Sequence, residues 1–430
     1  MLASLLAAFR IPDLRKRILF LLGMFAVYVV GLHIPIPGVD RAITEGLVKN
    51  VGALGLLDMF TGGAFRRFTV FAMGITPYIN ASIIMQLLTI AIPELEKLAK
   101  EGESGRKKIG QYTRYLTGIL AFVQAVGFDF YLQSIAKSQG SASHMALTTF
   151  SHITIALTLT AGTAFLMWMG EQITDKGIGN GVSLVIFCGI VVSLPYQFTK
   201  TAVAVRAGSI HMGNVVMLAA LFVLTVVAIV AITQAQRKIP IQHVKRVVGT
   251  KVYGGQSSFL PLKVNSAGVI PIIFAVSIMM MPQTLYSMTR WSWMNTVSES
   301  VSLYGWIGQT IYAAMIIFFT YFYTAVTFNV PDVSDNLKKW GSFIPGIRPG
   351  KPTEQYLDKV MTRITLAGAI FLSIIALTQY WVPMIAGTAK VNAFSLVGGT
   401  SLLIVVGVAL ETMQAIEAHL LMRHYEGFIK

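Results

Sequence analysis

Residues 55–88 read GLLDMFTGGAFRRFTVFAMGITPYINASIIMQLL, and the fold is decided in this stretch. An apolar piece too short to cross a bilayer runs into Gly62 and Gly63 and then two arginines, Arg66 and Arg67. A full-length apolar helix follows, marked by Asn80, Ser82 and Gln86. A half-inserted segment joined to a polar-flecked span makes a poor passive anchor. It makes sense where backbone lines or blocks a cavity inside a membrane protein.

The rest of the chain agrees with a membrane setting. Its 430 residues are 54% hydrophobic and only 12% charged, against about 25% charged in soluble domains. A span needs about 20 apolar residues to cross roughly 30 Å of hydrocarbon. Ten such runs are expected, at about 18–34, 74–92, 115–135, 148–169, 178–196, 215–233, 267–285, 307–329, 361–382 and 394–412. The fold class is therefore an all-α, ten-span integral membrane protein. It divides near residue 200 into halves 1–200 and 201–430, five spans each.

Lysine and arginine collect in short cytoplasmic loops. With the N-terminus inside, 25 of the 34 fall on the inner side and nine on the outer. Both termini are thus expected in the cytoplasm. The first apolar run is followed by IPIPG (34–38), with no small-x-small cleavage site, so no removable signal is expected. Residues 1–9, MLASLLAAF, precede a basic cluster and suit either a short helix on the inner surface or a frayed tail. The single cysteine, Cys188, lies within the fifth span and fits a small packing residue.

The spans hold few ionisable groups. Asp129 lies in the third and His152 in the fourth, with His33 and Glu411 at span ends. Asp129 reads as hydrogen-bonded to a neighbour. Ion-coupled transporters keep carboxylates, His or Lys at mid-membrane, so this scarcity argues against one. Isoleucines recur at helical spacing, Ile79 with Ile83 and Ile186 with Ile190, which places each pair on one helix face. On spacing alone, that is ordinary packing. There is no phosphate loop, no paired metal ligands and no nucleophile with its base, so neither catalysis nor a cofactor or metal is expected.

Two inner loops are long and basic. The first, 234–266, carries Arg237, Lys238, Lys245, Arg246, Lys251 and Lys263 and no acid; its alternation around Gly249 suggests a hairpin. In the second, 330–360, Pro345, Pro349 and Pro352 alternate with Gly346 and Gly350 and hold Arg348 at a rigid tip. Topology would be met by shorter loops. Such projections suit docking of a large acidic partner, protein or nucleic acid, in addition to anionic lipid headgroups.

Taken in order, GITPYINASIIMQLL (74–88), EGESGRKKIGQYTRYLT (101–117), GIGNGVSLVIFCGIV (177–191), QAQRKIPIQHVKR (234–246) and IPGIRPGKPT (344–353) resemble the signature stretches of the bacterial SecY family, the channel subunits of the protein-export translocon. The resemblance spans essentially the whole chain. It implies two inverted, pseudo-symmetric halves of five spans around a central pore. It also implies a plug at about 55–67, including Gly55, Leu56, Leu57, Met59, Phe60, Gly62 and Gly63, and a pore ring of Ile79, Ile83, Ile186, Ile190, Ile273 and Ile404. A lateral gate between the second and seventh spans would use Asn80, Ser82, Gln86 and Ser277. Lys245, Arg246, Lys251 and Arg348 would dock a motor or ribosome. The resemblance does not map Arg66 and Arg67 onto a role.

The implied function is a protein-conducting channel in the bacterial plasma membrane, not an enzyme. Implied partners are SecE- and SecG-type small membrane subunits, a SecA-type motor ATPase, the ribosome, signal peptides, unfolded polypeptides and anionic lipids. The competing readings are a secondary transporter of a small solute and a membrane-embedded enzyme. The charge-poor spans and the basic loops favour the channel.

Overall fold

The computed structural model describes residues 9–37, 58, 61–138, 149–243, 246–248, 251–253, 257–289, 291–303, 305–386 and 399–426. Gly55, Leu56, Leu57, Met59, Phe60 and Lys245, with residues 1–8 of the expected surface helix, lie outside the described residues. Contacts divide the chain into two compact units. One takes Met1–Ser209, Ser277–Ser300 and Ile404–Lys430, the other Ile210–Val276 and Val301–Leu403.

The helices in chain order are α1 (Pro12–Gly31), α2 (Ala64–Arg67), α3 (Thr76–Ala91), α4 (Pro93–Lys100), α5 (Glu103–Ser138), α6 (Thr149–Lys176), α7 (Gly181–Arg206) and α8 (Met212–Gln234). Strands β1 (Gln236–His243), β2 (Arg246–Val248), β3 (Lys251–Tyr253) and β4 (Ser257–Lys263) follow. Then come α9 (Ile270–Thr289), α10 (Ser292–Ser300), α11 (Trp306–Thr327), α12 (Val330–Lys339), β5 (Ser342–Phe343), α13 (Lys351–Ile385) and α14 (Gly399–Glu426). The described part of each apolar run read from the sequence lies largely on one helix: α1, α3, α5, α6, α7, α8, α9, α11, α13 or α14.

Among the described residues, six helices are long and apolar enough to cross a membrane, or seven if α3 and α4 form one broken span. The chain is built as a multi-pass membrane protein. α1 stands outside that set because Asp13, Arg15, Lys16 and Arg17 crowd its first turns. The break between α3 and α4 is a bend of 100°. Pro93 causes it, since proline disfavours helical backbone at Ile92 and supplies no amide hydrogen to continue α3.

In the first unit, α6 and α7 meet at the GIGNG turn. Asn180 Oδ1 accepts the amide hydrogens of Val182 and Ser183 at 3.1 and 3.3 Å, capping α7. A β-carbon at Gly181 would stand 1.8 Å from the Gly170 carbonyl oxygen, so only glycine lets the helices approach this closely. Arg17 donates to the Gly177 carbonyl at 3.1 Å. Beside it Leu14 and Ile18 of α1 pack with Ile178 and with Ile416 of α14.

In the second unit the two basic loops fold together. β1 pairs antiparallel with β4 over Gln236–Gln242, and β5 pairs on its other edge, giving the order β4-β1-β5. β2 and β3 form a separate hairpin around residues 249–250. Ile239 and Ile241 alternate onto one face of β1. They share a buried core with Leu262, Leu337 of α12, Ile344, and Leu357 and Met361 of α13.

Candidate functional site

Among the described residues between α1 and α3, α2 is a single helical turn, and several backbone groups around it find partners outside helices. The Asp58 carbonyl accepts the Gly63 amide at 2.8 Å and the Thr61 hydroxyl at 3.2 Å. Asp58 Oδ1 accepts the Arg66 amide at 2.7 Å. Burial pushes the Asp58 carboxyl up from its ordinary value, opposed by that amide and by the charges of Arg66 and Arg67. Beyond α2, the Ile36 amide donates to Phe68 O and the Val70 amide to Ile34 O, each at 3.1 Å, so the segment pairs with the chain leaving α1.

Aromatic contacts fix the segment from the sides. Phe65 and Phe68 both pack on Phe128 of α5, at 4.8 and 5.5 Å between centroids. Phe71 stacks between Tyr28 of α1 at 5.8 Å and Phe165 of α6 at 5.9 Å. Tyr28 donates its hydroxyl to Thr61 O at 3.3 Å. The Val70 carbonyl crosses Gly162 of α6 so closely that a β-carbon there would stand 2.0 Å away. Two conformations carry the sharp turns: Gly62 and Gly63 have φ of 69° and 84°, and Phe68, not a glycine, has φ 48°. A left-handed phenylalanine costs on the order of 1–2 kcal/mol, held here by its buried ring.

The segment meets α7 at Gly62. A β-carbon on Gly62 would lie 3.0 Å from Gly189 O, and Gly189 stands next to Ile190. Ile186 and Ile190, which flank Gly189 on α7, are both buried. On α3, Ile83 is buried while Ile79, Asn80, Ser82 and Gln86 are half-buried. Gln86 Oε1 is a buried acceptor with no hydrogen-bond partner among the described residues. Ile404 of α14 is buried; Ile273 and Ser277 of α9 are half-buried. Ile273 belongs to the second unit and the other five isoleucines to the first.

The second candidate region is the folded pair of basic loops. Arg348 is exposed, and its carbonyl accepts the Thr353 hydroxyl at 2.8 Å. The turn is tied to α12 by the Ser334 hydroxyl, which donates to Gly350 O at 3.1 Å. Gly346 and Gly350 adopt φ of 81° and 100°, which the P-G-I-R-P-G spacing anticipates. Arg246 opens β2 and Lys251 opens β3, at the two ends of one hairpin. Sequence reasoning treated the loops separately and missed their shared sheet. The join is made by pairing of His243 with Ser342, whose Oγ lies 2.8 Å from His243 Nδ1.

Two further details sharpen the reading from sequence. Asp129 is buried and its Oδ2 lies 2.7 Å from His152 Nδ1, the neighbour that its membrane position required. Cys188 is buried and free. Among the described residues, no group of three or more His, Cys, Asp or Glu could hold a metal ion.

The chain is a multi-pass helical membrane protein whose two basic loops fold into one module. A solved structure described as the structure of a protein conducting channel superposes with a TM-score of 0.64 at 18% identity, over 94% of this chain and 92% of that one. Sec61 in the canine ribosome-channel complex from the endoplasmic reticulum gives 0.61 at 17% identity, over 94% and 92%. At those identities the likeness is one of fold. The SecY family model matches residues 69–413. Protein translocase subunit SecY of Streptomyces scabiei is 45% identical over 100% of both chains, and that of Escherichia coli K12 is 44% identical over 97% of this chain and 94% of the other. Thermotoga maritima SecY is 43% identical over 98% and 96%. The chain belongs to the SecY family.

Proposed function

We propose that this chain is the channel subunit of a protein translocase, which passes unfolded secretory polypeptides across the bacterial plasma membrane and releases transmembrane segments sideways into it. Relatives that are 43–45% identical over nearly their whole length bear the name protein translocase subunit. The carrying observation is the close approach of Gly62 to Gly189 of α7, with several backbone amides of residues 63–70 donating to protein carbonyls. Such a segment closes a path without exposing its amides to lipid.

In this reading residues 55–67 are the plug. Ile79, Ile83, Ile186, Ile190, Ile273 and Ile404 form an apolar constriction that surrounds any chain without specific hydrogen bonds and dewets when narrow. Asn80, Ser82, Gln86 and Ser277 hold a lateral gate through polar contacts worth about 0.6–2 kcal/mol each, weak enough for a signal helix to displace. The buried Gln86 Oε1, without a hydrogen-bond partner among the described residues, suits a group that exchanges partners during gating. Five spans in each half, both termini in the cytoplasm and the basic loops on that side complete the topology.

The basic module around Arg348 docks a SecA-type motor or the ribosome, with small SecE- and SecG-type subunits alongside and anionic lipids at the surface. The resemblance in fold to Sec61 of a ribosome-channel complex supports this placement. In this reading the chain is not itself an enzyme, and energy comes from a cytoplasmic motor, a translating ribosome or the membrane potential. A solute transporter is the less favoured reading, because most spans lack ionisable coupling groups. Reconstitution with the motor, ATP and an unfolded secretory polypeptide is the test. Protease-protected polypeptide inside the vesicles is expected; solute uptake with no protected polypeptide would reverse the assignment.

A further inference from the structure

The two arginines that end the re-entrant segment reach different helices. Arg66 and Arg67 are consecutive on α2, so their side chains diverge by about 100° around the helix. The Arg66 guanidinium carbon sits 3.6 Å from the centroid of the Tyr196 ring, just after Pro195 within α7, well inside the range of about 6 Å for attraction between a cation and a ring face. Arg67 Nη1 lies 2.9 Å from Nε2 of His33, just beyond α1. His33 Nδ1 lies 2.9 Å from Val29 O, so Nδ1 carries the hydrogen and Nε2 accepts from Arg67.

We infer that Arg66 and Arg67 form a two-armed latch that staples the closed plug to the body of α7 and to the chain just beyond α1. This rests on the plug reading given above and supplies the role that the pair otherwise lacks. Three features make the latch reversible. The contacts are side-chain contacts near the surface rather than core packing: Arg66 and Arg67 are half-buried, while their partners His33 and Tyr196, the latter at 42%, are exposed. The latch follows directly on the Gly62-Gly63 pair, where the backbone turns most freely. It precedes Phe68, whose left-handed backbone gives the segment a reason to rearrange once the arms let go. Arginine suits the task because its flat guanidinium stacks on a ring and still donates hydrogen bonds at its edge.

The test is resting ion flux through proteoliposomes holding the full chain. Arg66→Gln and Tyr196→Leu are each expected to raise the flux roughly five- to thirtyfold, the population shift available from a partly desolvated cation–π contact. Tyr196→Phe, which keeps the ring, is expected to stay tight and controls for folding. The double variant Arg66→Gln with Tyr196→Leu is expected to leak no more than either single one, because both remove the same contact. Removal of residues 55–65 serves as the reference for an absent plug. If that removal leaks while Arg66→Gln and Tyr196→Leu stay tight, the latch is overturned and the plug survives. If that removal itself leaves the membrane tight, the plug reading falls and the latch with it. Additive leaks in the double variant would also overturn the latch.

Discussion

Gly62 is wedged against Gly189: a β-carbon on Gly62 would stand 3.0 Å from Gly189 O, 3.3 Å from Gly189 Cα and 3.1 Å from Leu32 Cδ1. With φ at 69°, the backbone itself also resists a side chain. Gly62→Val therefore meets a strain of about 1–2 kcal/mol in the left-handed region and a crowded seat at once. The variant is expected to hold the segment off α7 and to raise resting ion flux in proteoliposomes. A tight membrane would show that this contact does not close the channel.

Burial and pore lining make separable predictions for the isoleucines. Ile190 is 0% exposed, and Ile190→Ala should cost roughly 2–5 kcal/mol of folding stability. Ile79 is half-buried, so Ile79→Ala should cost less. If both line the constriction, both variants leak ions, and leakage does not follow the loss of stability. Thermal melting alongside ion flux separates the two.

Arg348 is exposed, whereas Leu357 is fully buried in the core of the same module. Arg348→Glu should leave the melting temperature unchanged and abolish motor-driven export. Leu357→Ala should lower stability by about 2–5 kcal/mol and weaken export through the loss of the module itself. Export that survives Arg348→Glu would remove the docking role from this arginine.

Ser82 of α3 and Ser277 of α9 are half-buried. In a Cys188→Ala background, which clears the single native thiol, cysteines at 82 and 277 should form a disulfide in the resting channel. A bound signal peptide should suppress it. A pair that never links under mild oxidation would argue against a gate at these helices.

Much of the fold is legible in the residues because its causes are local. The apolar runs need only length, Pro93 breaks α3 by its ring, and GIGNG brings a cap and a close approach together. The shared sheet of the basic loops is not legible, because His243 and Ser342 stand 99 residues apart and nothing nearby in sequence pairs them. The same holds for Arg66 with Tyr196, a contact between a short turn and a helix distant in sequence. The ring isoleucines lie between these cases. Ile79 with Ile83 has the spacing of any packed helix face, so resemblance, not periodicity, proposes them for a pore.

The central claim, a polypeptide path lined by these isoleucines, is tested most directly by a secretory chain stalled midway through the reconstituted channel. Photoreactive residues at positions 83 and 190 should crosslink to the stalled chain, while one at Val223, exposed on α8, should label lipid instead. Strong crosslinks from position 223, or none from 83 and 190, would contradict the path.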